Sequence, residues 1–143
     1  MNAVPDCIIA LTFYALWAMF LVLSIGAARV HQVVTGKSEV TGFTAGVPHG
    51  PEPYWRLNRA HMNTIENLPI FATVVLSGVA ANAVDATFNM LAIIVVCARA
   101  VQSLIHIMSG TATAINLRFT AFAVQIVCQM WMAWLILGAA GVF

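Results

Sequence analysis

Four apolar runs, covering approximately residues 4–28, 57–83, 87–108 and 117–138, decide what this chain can become. Each is near or above the ~20 residues that an α-helix needs to cross a ~30 Å hydrocarbon core. Lipid offers backbone N–H and C=O groups no partner, so segments of this kind must close their own hydrogen bonds as helices. Composition agrees: 62% of the residues are hydrophobic and 8% are charged, against roughly 25% charged in soluble domains. That stock cannot cover a surface facing water. The expected fold is an all-α integral membrane protein, a single domain over residues 1–143 built as a bundle of four transmembrane helices. The first run has Asp6 and no basic residue before it, and is too long for the apolar stretch of a secretory leader. It is expected to stay as a helix.

The connections are unequal. Residues 29–55 hold Gly, Pro and Thr together with Arg29, Lys37, Glu39 and Glu52, and read as a polar loop. Residues 84–86 form a very short turn, making the second and third helices an antiparallel hairpin, and residues 109–116 form a short link. Arg29, Lys37, Arg56, Arg59 and Arg118 all lie on the side of the long loop, five basic residues against none at the opposite ends, which carry Asp6 and Asp85. The positive-inside bias therefore places the long loop in the cytoplasm and both termini on the other side.

A net charge of +1 gives no electrostatic footprint for nucleic acid. Cys7, Cys97 and Cys128 are scattered through apolar stretches without a CxxC, and read as small buried hydrophobes. The histidines at 31, 49, 61 and 106 lack ligand spacing, so no metal is expected.

Two helices carry polar residues where these are expensive. In the second, Arg56, Arg59, Asn63 and Glu66 fall at i, i+3, i+7 and i+10, one stripe on one face. Tyr54 and Trp55 resemble an interfacial aromatic belt, and Glu66 lies ~16 Å beyond Trp55, near the bilayer midplane. In the third, Arg99, Gln102 and His106 share a face, with Arg99 ~15 Å from the cytoplasmic end. A charge at a helix centre costs ~2.5–3.5 kcal/mol even on the gentle insertion scale. Glu66 and Arg99 are thus expected to face protein or a water-filled cavity, and to face each other. A purely structural role, locking helices together, explains that pair equally well. It explains the whole set less well, because Arg29, Arg56, Arg59, Arg99 and Arg118 confront a single acid in the membrane. A positive cavity open to the cytoplasm asks for an anion, which charge alone does not identify.

The stretch Arg56-Leu-Asn-Arg59-Ala-His-Met-Asn63-Thr-Ile-Glu66-Asn-Leu-Pro69-Ile-Phe71 closely resembles the signature R-x-x-R-A-x-x-N-x-x-E-x-x-P-x-F, matched at every fixed position. This is the pattern of the MAPEG family, the membrane-associated proteins of eicosanoid and glutathione metabolism. Helix number, loop length and chain length agree as well. The resemblance implies a homotrimer with glutathione bound between neighbouring subunits near the cytoplasmic face. It implies cofactor-binding roles for Arg56, Arg59, Asn63, Glu66, Arg99, Gln102 and His106. Arg118 resembles the arginine that stabilises the glutathione thiolate, and Arg29 the arginine that ends the first helix; both are candidate catalytic residues.

The chemistry is sound on its own terms. Glutathione has two carboxylates for guanidinium forks and one ammonium for Glu66, and a nearby Arg favours the thiolate over the thiol. The expected function is a glutathione-dependent transferase or peroxidase acting on lipophilic small molecules from the bilayer lipid. There are departures from the family. His106 stands where catalytic members usually have tyrosine, Gln102 replaces an aromatic or histidine, Phe119 and Phe122 replace hydroxyl-bearing residues, and Met62 replaces an arginine found in some members. These favour the alternative of a non-catalytic lipid-binding or scaffolding protein of the same fold. A transporter using Glu66 and His106 as a proton relay is disfavoured by the lack of broken helices in corresponding halves.

Overall fold

The computed structural model describes residues 4–44, 47 and 49–142. It contains four long helices: α1 (Asp6–Val34), α2 (Glu52–Ala80), α3 (Ala86–Met108) and α4 (Ala112–Ala139), with a single 3-10 turn, Val40–Gly42, between α1 and α2. No strand occurs among the described residues. Three of the helices, α1, α3 and α4, are long and apolar enough to span a membrane unaided. The fourth, α2, is as long as α1 but carries the polar stripe.

Helix ends explain where the sequence-based limits fall short. The first helix continues past Ala28 to Val34, because residues 29–34 contain no glycine or proline. It stops at a left-handed Gly36 (φ 67°), with Lys37 N–H donating to Gln32 C=O and Gly36 N–H to Val33 C=O. The same double closure ends α2 at Ala80 rather than at residue 83, around Asn82 (φ 53°), and ends α4 around Gly141 (φ 70°). The second helix starts at Glu52, five residues before Leu57, with Pro53 in its first turn where a missing N–H costs nothing. The polar link before α4 also shrinks. Thr111 accepts a hydrogen bond from Ala114 N–H at 3.3 Å and starts the helix at Ala112. Arg118 therefore lies six residues inside α4 rather than at its beginning.

The two central helices, α2 and α3, pack on each other and on both flanking helices, α1 and α4. One hydrophobic cluster joins all four, with Cys7 and Tyr14 of α1, Phe71 and Val75 of α2, Phe88 and Val95 of α3, and Cys128 and Met132 of α4. Gly78 permits a close approach of α3 to α2: a Cβ there would collide with the Phe88 ring. Outward-facing Phe13, Leu23, Met130 and Trp131 are each more than half exposed, as lipid-facing positions must be. Cys7 and Cys128 sit in the core, whereas Cys97 is exposed on this apolar surface, contrary to the reading of all three as buried.

Candidate functional site

The polar stripes of α2 and α3 converge with α4 on a cavity of about 500 Å³. Arg59, Asn63 and Glu66 come from α2, Arg99, Gln102 and His106 from α3, and Arg118 from α4. Three turns of α2 thus form one wall, and the heptad-like spacing of α3 forms the floor. The apolar remainder includes Phe119 and Phe122, and no Ser, Thr or Tyr side chain lines the cavity among the described residues. Three guanidiniums therefore share the space with one carboxylate. Arg59 and Glu66 are exposed on the single chain, so the cavity opens on its flank.

Two of the sequence candidates are placed elsewhere. Arg56 donates from Nε to Ile107 C=O at 3.1 Å and from Nη1 to Glu52 Oε1 at 2.6 Å, tying the start of α2 to the end of α3. It acts as a clamp beside the cavity. Arg29 donates from Nε to Tyr54 Oη at 2.7 Å, and its guanidinium carbon lies 5.4 Å from the Phe43 ring centroid. Both arginines are spent on joining neighbouring helices, Arg29 tying α1 to α2 and Arg56 tying α2 to α3.

The expected Glu66–Arg99 ion pair is also not formed. The one ion pair among the described residues is Arg56–Glu52. Arg99 is 2% exposed, with its guanidinium carbon 5.9 Å from the Tyr14 ring centroid. Equal depth on antiparallel helices left the angle about the helix axis undetermined. The inward position on α2 is Asn67, one residue or ~100° beyond Glu66. Glu66 and Arg99 meet the cavity from different walls instead of meeting each other.

Sequence reasoning missed a chain of buried amides under the cavity. Gln102 Nε2 donates to the Arg118 carbonyl at 3.2 Å, and Gln102 Oε1 accepts from Gln125 Nε2 at 3.0 Å. Asn67 Nδ2 donates to Gln125 Oε1 at 3.3 Å, and Gln129 Nε2 donates to Asn67 Oδ1 at 3.4 Å. Three helices are cross-braced by this row, which fixes the backbone of Arg118. Gln102, expected to bind ligand, therefore serves first as a strut. Gln125 and Gln129, polar residues four apart in an apolar run, were the available signal. Farther toward α1, Tyr14 Oη donates to Thr64 C=O at 3.1 Å, and the Thr64 and Ser103 hydroxyls lie 3.4 Å apart.

A sequence model of the MAPEG family matches residues 7–138, nearly the whole chain. The chain belongs to the MAPEG family. A comparison with curated proteins gave no match. The MAPEG signature on α2 now has a physical division of labour. Arg59, Asn63 and Glu66 face the cavity, while Ala60 and Phe71 are buried against the other helices and Arg56 clamps α3. Family membership and the apolar helices together make this an integral membrane protein. No group of three or more His, Cys, Asp or Glu side chains capable of holding a metal occurs among the described residues.

Proposed function

We propose that this MAPEG protein binds glutathione in the α2–α3–α4 cavity and joins it through its sulfur to lipophilic electrophiles, or uses two molecules of it to reduce a lipophilic hydroperoxide to the alcohol and water, leaving glutathione disulfide. The observation that carries the reading is the charge inventory. Glutathione as a thiolate bears three anionic groups and one ammonium, and the cavity offers three guanidiniums and one carboxylate. Arg59 and Arg99 suit the two carboxylates, Glu66 the ammonium, and Arg118 the sulfur. Asn63 and His106 supply further hydrogen-bonding groups on the lining. In the transfer step the thiolate lone pair forms the new C–S bond, and the electrons of the broken bond leave with the electrophile's leaving group or opened ring oxygen. Phe119 and Phe122 give the mouth an apolar lining suited to a substrate arriving from lipid.

The opening on the bundle's flank supports a homotrimer in which a neighbouring chain covers Arg59 and Glu66. In that arrangement Arg29 of the neighbour would complete the site, which its position within one chain does not allow. The absence of any hydroxyl from the described lining supports a second reading, a non-catalytic lipid-binding or scaffolding protein. Titrating the purified protein with glutathione while following the ultraviolet band of a bound thiolate separates the two. Saturable binding with the band is expected. Binding without the band favours a catalytically silent remnant, and no binding favours the scaffold.

The site's access from the cytoplasm depends on sidedness, for which the five-to-none basic asymmetry is the warrant. Single cysteines placed at Thr44 and at Asp85 in a cysteine-free background should react with impermeant maleimide from opposite sides. Reaction of both from the outer face would remove the cytoplasmic loop and the proposed route for glutathione with it.

A further inference from the structure

Opening an epoxide or breaking a peroxide leaves an alkoxide, which needs a proton before the product departs. No Ser, Thr or Tyr side chain lines the α2–α3–α4 cavity among the described residues, and its guanidiniums do not give up their protons. Two lining groups can take and return one, Glu66 and His106. They stand at opposite ends of the cavity. Arg56 is bonded to Ile107, the neighbour of His106, and Glu66 follows Arg56 by ten residues, or ~15 Å of helix. The side chain of His106 is buried and makes no hydrogen bond among the described residues, so both ring nitrogens are uncommitted. Its position brings it to Arg118. Gln102, one turn before His106 on α3, donates to the Arg118 carbonyl at 3.2 Å. Side chains lean toward the N-terminus of their own helix, and α3 and α4 run antiparallel on either side of the short link Ser109–Thr111. His106 therefore leans toward the level of Gln102, and Arg118 leans back to meet it. Of the charges around His106, that of Arg118 acts most strongly, ahead of Arg59 and Arg56.

Resting on the reading of this cavity as a glutathione site with the sulfur at Arg118, we infer that His106 is the general acid of the reaction and carries the thiol proton to the oxygen that the electrophile releases. As glutathione seats, a ring nitrogen of His106 takes the proton from S–H while Arg118 receives the thiolate. The thiolate lone pair then forms the C–S bond to an epoxide carbon. The electrons of the broken C–O bond pass to oxygen, and the imidazolium N–H gives that oxygen its proton. The products are a hydroxy thioether and the imidazole as it began, with nothing drawn from outside the site. A hydroperoxide uses the same proton. The thiolate attacks its outer oxygen, the O–O electrons go to the inner one, and His106 protonates that oxygen to the alcohol. The sulfenic acid so formed condenses with a second glutathione thiol to give the disulfide and water. A halide, by contrast, departs as a stable anion and needs no acid. Epoxides and hydroperoxides are thus the substrate class for which a histidine beside Arg118 matters.

The test uses the full chain in phosphatidylcholine nanodiscs with glutathione and two electrophiles, styrene oxide and 1-chloro-2,4-dinitrobenzene. His106→Gln keeps hydrogen-bonding capacity but carries no proton. In this variant the ratio of styrene oxide turnover to chlorodinitrobenzene turnover should fall roughly 100-fold, the low end of what a positioned acid is worth. A pH indicator in weakly buffered solution supplies a second readout. The parent should keep the thiol proton in the site on binding, and His106→Gln should release about one proton per bound glutathione. An unchanged turnover ratio overturns the role of His106. Release of the full proton by the parent overturns it as well, and that measurement decides without any variant. A parent that shows no saturable glutathione binding sinks the glutathione reading and this role together. Binding with the thiolate band but an unchanged ratio leaves that reading standing and removes His106 alone.

Discussion

Replacing Arg118 by alanine is expected to leave most of the glutathione affinity in place and to remove the thiolate band at neutral pH. The affinity should survive because Arg59, Asn63, Glu66 and Arg99 line the cavity from two other helices. The band should vanish because a thiol ionises at neutral pH only when a cation stabilises the anion. An arginine within hydrogen-bonding reach favours an anion by about one to three pKa units, by analogy with a carboxyl beside arginine, and each unit is worth ~1.4 kcal/mol. Turnover should accordingly fall roughly tenfold or more. The helix dipole does not replace the side chain, since the free first-turn amides of α4 lie at Ala112 and the residues just after it, about a turn before Arg118. The sign of the pH response follows. The lost cation raises the pH at which the bound thiol ionises, so activity should return as pH is raised. Arg118→Lys should keep only part of the rate, lacking the planar fork. Unchanged turnover of Arg118→Ala at neutral pH would refute the role and move attention to Arg29.

The second large effect is expected at Glu66. Glu66→Gln should weaken glutathione binding by roughly 10- to 150-fold, the equivalent of ~1.5–3 kcal/mol for a hydrogen bond to a charged group. The amide still accepts hydrogen bonds but no longer balances an ammonium. The fold should be indifferent to the change, because Glu66 is exposed on the chain and has no ion pair among the described residues. Thermal stability measured without ligand should therefore match the parent, while calorimetric affinity falls. Equal affinity would show that the carboxylate plays no part in holding the ligand.

The number and order of helices were legible because lipid imposes a length and a polarity on every spanning segment, and both can be counted along a chain. The polar faces of α2 and α3 were legible because helical spacing converts sequence separation into angle. That arithmetic fixes each helix only against itself. It placed Arg99 and Glu66 at one depth, yet gave no rotation of α3 relative to α2, and the ring of Tyr14 takes the guanidinium instead. The amide row through Gln125 and Asn67 was hidden for a related reason. Its members come from different helices, and each alone is an ordinary polar residue in an apolar run. The ends of α1 and α2 were misjudged where the chain leaves the bilayer. There, polarity was read as loop, although only Gly36 and Pro51 actually interrupt the helices.

The polar stripe on α2 also constrains how the chain is made. A segment carrying Arg56, Arg59, Asn63 and Glu66 partitions poorly into lipid when offered alone, since each central charge opposes insertion by ~2.5–3.5 kcal/mol. Its C-terminal end is joined to strongly apolar α3 by only five residues, 81–85. The translocation machinery would therefore release α2 and α3 together as a preformed pair, with α1 already waiting in the bilayer to receive them. Biosynthesis of this protein is then a matter of partners arriving in order, and a ribosome stalled before α3 should leave α2 still accessible to water.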